Sequence, residues 1–165
     1  MAKGGYTVEI IETLAEPGGM LRWAIPPFRL PGNILDRDIK YIERMGVTIK
    51  TSCEFGVDTN LSDLKRSGAQ AIVMAIGTQE DLKMGVGNEE SGDGYFSCLG
   101  FLGRYARGER IRLGAKLIVV GGGNAAVDAA RSALRCGATE VAIIVWEMPT
   151  ARVVTCVGSF ALTFA

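Results

Sequence analysis

One spacing in this 165-residue chain points directly at a ligand: Gly121-x-Gly123-x-x-Ala126. Gly121 allows a sharp turn, Gly123 lets a pyrophosphate approach the backbone, and Ala126 lets a helix pack closely on a strand. The phosphate would rest on the free N–H groups of the helix start, where the dipole is positive. Upstream, Glu12 closes the apolar run 6–11. A carboxylate at such a tip holds a ribose hydroxyl pair in a dinucleotide fold, or is an ordinary exposed glutamate. The run 16–32 is rich in proline, apolar, and carries Arg22 and Arg29. It suits the wall of a flat cofactor site, or loop packing with no ligand.

The chain has no histidine. Triads, imidazole acid–base chemistry and the commonest metal ligand are absent together, and no residue is assigned as catalytic. Cys53, Cys98, Cys136 and Cys156 are far apart and form no C-x-x-C pair. That spacing argues against an iron–sulfur cluster or a zinc site within this chain and for free thiols in a reducing, cytoplasmic setting. Lys plus Arg and Asp plus Glu are 18 each, so no charge excess points to nucleic acid or an anionic membrane. No signal peptide is evident, and the apolar stretch 153–165 is too short and interrupted for a membrane span.

These residues need elements to position them. Residues 117–120 (Leu-Ile-Val-Val) predict a buried strand and the glycine turn follows at once. Val127, Ala130 and Leu134 then recur with helical spacing, and 141–145 predicts a second strand. The unit is a nucleotide-binding βαβ or a purely structural one. Earlier, 6–11 and 47–51 predict strands. Between them runs a helix capped by Asn33, with Leu35, Ile39 and Ile42 inward and Asp36 paired with Lys40. A short helix over 61–66, a buried strand over 71–78, a polar glycine-rich linker over 79–95 and a helix over 96–107 with Leu99, Leu102 and Ala106 inward complete the pattern. Alternating strands and helices predict an α/β fold with parallel sheets.

With these residues identified, the chain resembles the FAD-dependent pyridine nucleotide oxidoreductases of the glutamate synthase small-subunit type, related to the flavin module of dihydropyrimidine dehydrogenase. The resemblance rests on Tyr6-Thr-Val-Glu-Ile-Ile-Glu12, Gly18-Gly-Met-Leu21, Ile25-Pro-Pro-Phe-Arg-Leu-Pro31, Met74-Ala-Ile-Gly-Thr78, Gly121-Gly-Gly-Asn-Ala-Ala-Val-Asp128 and Ala133-Leu-Arg-Cys-Gly-Ala138. It implies Rossmann-like FAD- and NAD(P)-binding domains: a partial FAD domain over 1–78, a linker and helix over 79–113, and a partial NAD(P) domain over 114–165. It implies that Glu12 holds the FAD ribose and that Gly19, Met20 and Arg29 lie beside the flavin and its phosphates. Phe55 would lie near the adenine end and Gly77 at a crossover touching FAD. Gly121, Gly123, Asn124, Ala125 and Ala126 would form the nicotinamide-nucleotide loop. The implied activity is hydride transfer from NAD(P)H to FAD, alongside other subunits or domains of an electron-transfer complex. The alternative is a non-catalytic nucleotide-binding remnant or a module of such a complex.

Three departures from the family pattern shape further expectations. The family opens with a strand and a G-x-G-x-x-G turn before the segment ending at Lys3-Gly4-Gly5, and continues beyond Ala165; the two domains are therefore expected to be incomplete at both ends. On that basis the chain alone is expected to hold FAD poorly. Where the family carries adjacent arginines after the strand 141–145, this chain has Trp146-Glu147, which favours NADH over NADPH. Residues 151–165 match nothing in the family pattern.

Overall fold

The structure, a computed structural model, describes residues 1–85, 87–89, 94–147 and 150–157, with the backbone alone for 146–147 and 150–157. The chain divides into two compact units. The first comprises Met1–Arg22 and Leu30–Thr78, the second Trp23–Arg29 and Gln79–Ala165.

In the first unit, strand β1 (Val8–Ile11) pairs in parallel with β2 (Val47–Lys50), Val8 opposite Val47 and Ile11 opposite Lys50. A short helix α1 (Gly19–Trp23) and a longer one, α2 (Gly32–Arg44), lie in the connection. Helix α1 was not expected in so proline-rich a stretch; it occupies the run between Pro17 and Pro26 that proline leaves free. Leu35 of α2 is buried and Ile39 and Ile42 are half-buried, as their spacing predicts. The expected cap is corrected. Pro31 takes the N-cap position in extended backbone, and Asn33 lies inside the helix. Asp36 accepts from Arg22, Nη2 to Oδ1 2.6 Å, in place of the expected Lys40 pair. Arg22 also reaches Glu16 at 3.1 Å and donates from Nε to the Pro17 carbonyl at 2.8 Å. Several acceptors around one half-buried guanidinium outcompete a solvated i,i+4 pair.

Helix α3 (Leu61–Arg66) starts at a capping box in which Asn60 accepts from Ser62 and Asp63. The strand expected over 71–78 does not form. Val73, Met74 and Ile76 are exposed there, and no described strand takes up their backbone. β-propensity becomes a strand only where a neighbouring ladder accepts it.

The second unit carries helix α4 (Cys98–Ala106), strand β3 (Lys116–Val120), helix α5 (Asn124–Arg135), strand β4 (Glu140–Glu147) and strand β5 (Thr150–Val157). Strands β3 and β4 are parallel, Lys116 opposite Glu140 and Val120 opposite Ile144. Strand β5, which was not foreseen, pairs antiparallel with β4, so this sheet is mixed and not wholly parallel. Two residues separate β4 from β5, enough for a hairpin and far too few for a crossover.

The core joins Phe101 and Leu102 of α4, Ile111, Ala129, Ala130 and Ala133 of α5, and Val141 and Ile143 of β4. The inward face of α5 is Ala126, Ala129, Ala130 and Ala133. Of the three residues whose spacing predicts the helix, Ala130 is buried and Val127 and Leu134 are half-buried. The smallest side chains face the sheet because they let the helix backbone come closest to it. The segment Trp23–Arg29 packs on this unit. Pro26 is fully buried, and Phe28 meets Tyr105 edge to face at 6.2 Å.

Candidate functional site

The turn between β3 and α5 is built by three glycines with three different reasons. Gly121 sits at φ 131°, a backbone region that side chains rarely adopt, and its N–H donates to the Ile144 carbonyl at 2.8 Å. A Cβ on Gly122 would lie 2.6 Å from Cγ1 of Val145, so the turn rests directly on β4. A Cβ on Gly123 would meet nothing within 4 Å. Among the described residues nothing packs against a Cβ at 123, and the glycine is exposed at the start of α5.

Helix α5 begins at Gly123 as N-cap, and no side chain caps it. Asn124 and Ala125 are exposed and Ala126 is buried. The first N–H groups of a 12-residue helix therefore have no side-chain cap and stand beside a glycine whose Cβ side is open. That is the arrangement a diphosphate fits.

Beneath this turn lie two groups that sequence reasoning did not assign. Asp128 is four residues into α5 with its side chain only 4% exposed, and its Oδ2 accepts from Nη1 of Arg29 at 2.6 Å. Its Oδ1 is buried without a hydrogen bond among the described residues. A carboxylate between Val127 and Ala129 in an alanine-rich helix is the signal that could have found it, since such a charge needs a partner. The second group is Cys98, whose Sγ donates to the Ala125 carbonyl at 3.6 Å. Burial, with Asp81 and then Asp128 adding, pushes this thiol up to about 11. It stays protonated and remains a donor at neutral pH.

Arg29, expected beside the flavin and phosphates, is thus placed on α5. Next to it the Phe28 ring carries the guanidinium groups of Arg135 at 4.0 Å and Arg131 at 4.5 Å.

The other expected residues lie in the first unit. Glu12 follows β1; its N–H donates to Lys50, and its Oε1 accepts from the Leu14 N–H at 3.0 Å. The carboxylate is oriented at the strand tip and half-buried. Gly18 and Gly19 repeat the division of labour seen in the other turn. A Cβ on Gly18 would strike Leu35 at 2.9 Å, whereas one on Gly19, at φ 50°, would meet nothing. Met20 follows, half-buried, in α1. Phe55 forms an isolated bridge with Thr59 and is 36% exposed. Gly77 adopts φ 68° in irregular chain. The structure thus groups Glu12, Gly19, Met20, Phe55 and Gly77 in one unit, and Arg29 with the Gly121–Ala126 turn in the other. Glu147 ends β4, and its side chain lies outside the described residues. Among the described residues no cluster could hold a metal ion, and no helix is long and apolar enough to cross a membrane.

No known family model matches the chain. The chain is 42% identical over 146 residues to the NADP(+)-dependent formate dehydrogenase subunit beta of Moorella thermoacetica, covering 87% of this chain and 20% of that protein. It is 35% identical over 145 residues to the NAD-dependent dihydropyrimidine dehydrogenase subunit PreT of Salmonella typhimurium, covering 87% and 34%. Its homologues are NAD(P)-dependent oxidoreductase subunits. Among solved structures, FprA, an oxidoreductase of Mycobacterium tuberculosis, superposes with a TM-score of 0.67 at 23% identity over 83% of this chain and 36% of that one. That likeness establishes the α/β fold of such enzymes. The chain spans about a fifth of the length of the formate dehydrogenase subunit and about a third of PreT. The resemblance to pyridine nucleotide oxidoreductases therefore holds at that level, and neither relative is named as a glutamate synthase.

Proposed function

We propose that the Gly121–Ala126 turn holds the diphosphate of NAD(P)H, and that the chain forms part of a cytoplasmic flavoprotein oxidoreductase of the glutamate synthase small-subunit type. The observation that carries this reading is the open Gly123 beside the uncapped start of α5, directly after a parallel strand. Gly123, Asn124, Ala125 and Ala126 would offer backbone N–H groups to the phosphates, and Gly121 would set the angle of the turn. In the first unit Glu12 would take ribose hydroxyls, and Gly19 would admit a ligand close to the backbone. Met20, Phe55 and Gly77 would supply apolar and backbone contacts.

A flavin held by Glu12, Gly19, Met20, Phe55 and Gly77 would supply the hydride acceptor, so the protein need supply only binding and orientation. No acid or base on this chain is required. The homologues' description as subunits supports a place within a larger electron-transfer complex.

The test is titration of the chain with NADH and NADPH, followed by nicotinamide fluorescence, against Gly123→Val. The branched side chain would fill the space the diphosphate needs, and saturable binding should disappear while the fold persists. Equal affinities in parent and variant would refute the loop assignment. Absorbance of the purified chain near the flavin bands tests the flavin part separately. NADH binding with no NAD(P)H oxidation after FAD is added would favour a nucleotide-binding module without turnover.

A further inference from the structure

We infer that Arg29 serves the nucleotide site through Asp128, by cancelling a buried negative charge beneath the phosphate-binding turn, and not by gripping the ligand itself. This rests on the diphosphate reading above. Asp128 is four residues beyond Asn124, which places its Cα about 6 Å along α5 from the helix start, with the side chain tilted back toward it. A helix N-terminus attracts phosphate through its partial positive charge. An unneutralised carboxylate one turn below would oppose that attraction through a poorly screened interior. Among the described residues Arg29 makes a neutralising contact, Nη1 to Asp128 Oδ2 at 2.6 Å.

The rest of the segment is shaped to deliver that cation. Pro26 is buried, Trp23 carries its carbonyl against Gly103 of α4, and Phe28 lies under Arg131 and Arg135 of the same helix as Asp128. Arg29 is fixed at the end of a strap anchored on both sides. Arg131 and Arg135 lie on later turns of α5 and are engaged with Phe28. Arg29 is thus a positioning residue in the electrostatic sense: it acts through Asp128.

The experiment compares NADH and NADPH dissociation constants for the parent chain, Arg29→Gln, Asp128→Asn, the double variant and Arg29→Lys, with thermal unfolding measured on each. Arg29→Gln should weaken binding on the order of tenfold, the size expected for one unpaired charge near a diphosphate. Arg29→Lys should lose less, because the charge is kept. Asp128→Asn should bind more tightly than the parent. The double variant should recover most of what Arg29→Gln loses.

If Arg29 gripped the phosphates directly, Asp128→Asn would weaken binding and the double variant would stay as weak as Arg29→Gln; either result overturns the inference. Unchanged constants in every variant, with only the unfolding temperatures moving, would show a merely structural pair and overturn it equally. Should Arg29→Gln fail to fold, the opposite signs expected for Asp128→Asn and Arg29→Lys still decide. A parent chain that binds neither nucleotide would sink the diphosphate reading, and this inference with it.

Discussion

Adding one methyl group at Gly122 should damage the fold, whereas adding one at Gly123 should damage only the site. An alanine Cβ at 122 would stand 2.6 Å from Val145 Cγ1 and 3.4 Å from Cγ2. Carbon atoms pack comfortably at about 3.5–4.0 Å, so the nearer contact is short by roughly 1 Å. The strand cannot back away easily. Gly121 donates to Ile144 on one side of the contact, and Val120 is in ladder register with the same residue. Relief must come from Val145 leaving its rotamer or from local backbone shift, which costs about 1–3 kcal/mol. For a chain of this length that lowers the melting temperature by roughly 2–10 °C. Thermal unfolding of Gly122→Ala, Val145→Ala and the double variant forms a cycle with an expected coupling of about 1 kcal/mol or more, since the truncated valine makes room. Gly123 is already at φ −81° with open space beyond it. Gly123→Ala should therefore unfold within about 0.5 kcal/mol of the parent and yet bind NADH more weakly. Strict additivity in the Gly122 cycle, or a stability loss at 123 matching that at 122, would refute the account of the turn.

Two further outcomes follow from the same geometry. The Cys98 thiol holds its proton up to about pH 11 in the folded chain, whereas an ordinary thiol loses it near 9.0. Between those values the unfolded chain has released a proton that the folded chain keeps, so stability should fall as pH rises through that window; Cys98→Ala should flatten the decline in denaturant titrations. Phe28→Ala removes the ring beneath two guanidinium groups and its edge contact with Tyr105, a loss of about 1–2 kcal/mol. Limited trypsin digestion should then cut after Arg29 faster than in the parent, and an unchanged cutting rate would show that the ring does not hold the segment.

The elements around the glycine turn were legible because each was determined locally, although β3, expected to be a buried strand, leaves Ile118 and Val120 exposed. A β-branched run, three glycines and a row of alanines can form little else, and the parallel pairing of β3 with β4 follows from the helix between them. The same locality explains the misses. Residues 71–78 have the composition of a strand, but composition supplies no ladder partner. Asp36 has Lys40 one turn away in sequence, yet Arg22 from helix α1 reaches it at 2.6 Å. The role of Gly123 was drawn from spacing and that of Gly19 from the family resemblance, and the structure adds that a Cβ on their neighbours Gly122 and Gly18 would be crowded. Asp128 was invisible as a partner for Arg29 because 99 residues separate the two.

That separation also sets an order of events during synthesis. Trp23–Arg29 leaves the ribosome well before α5, and the helix that covers it does not exist until Arg135 has been added. At about 5–20 residues per second the strap waits roughly 5–20 s for its partner. Until α4 emerges Phe28 lacks its Tyr105 contact, and until α5 is complete it lacks the two arginines that cap it. The first unit can close its own β1–β2 ladder around the strap, but it must do so with this short run looped out. A single cut at residue 78 would therefore divide the sequence without dividing the folding units, and the piece beginning at Gln79 would lack the cation for Asp128.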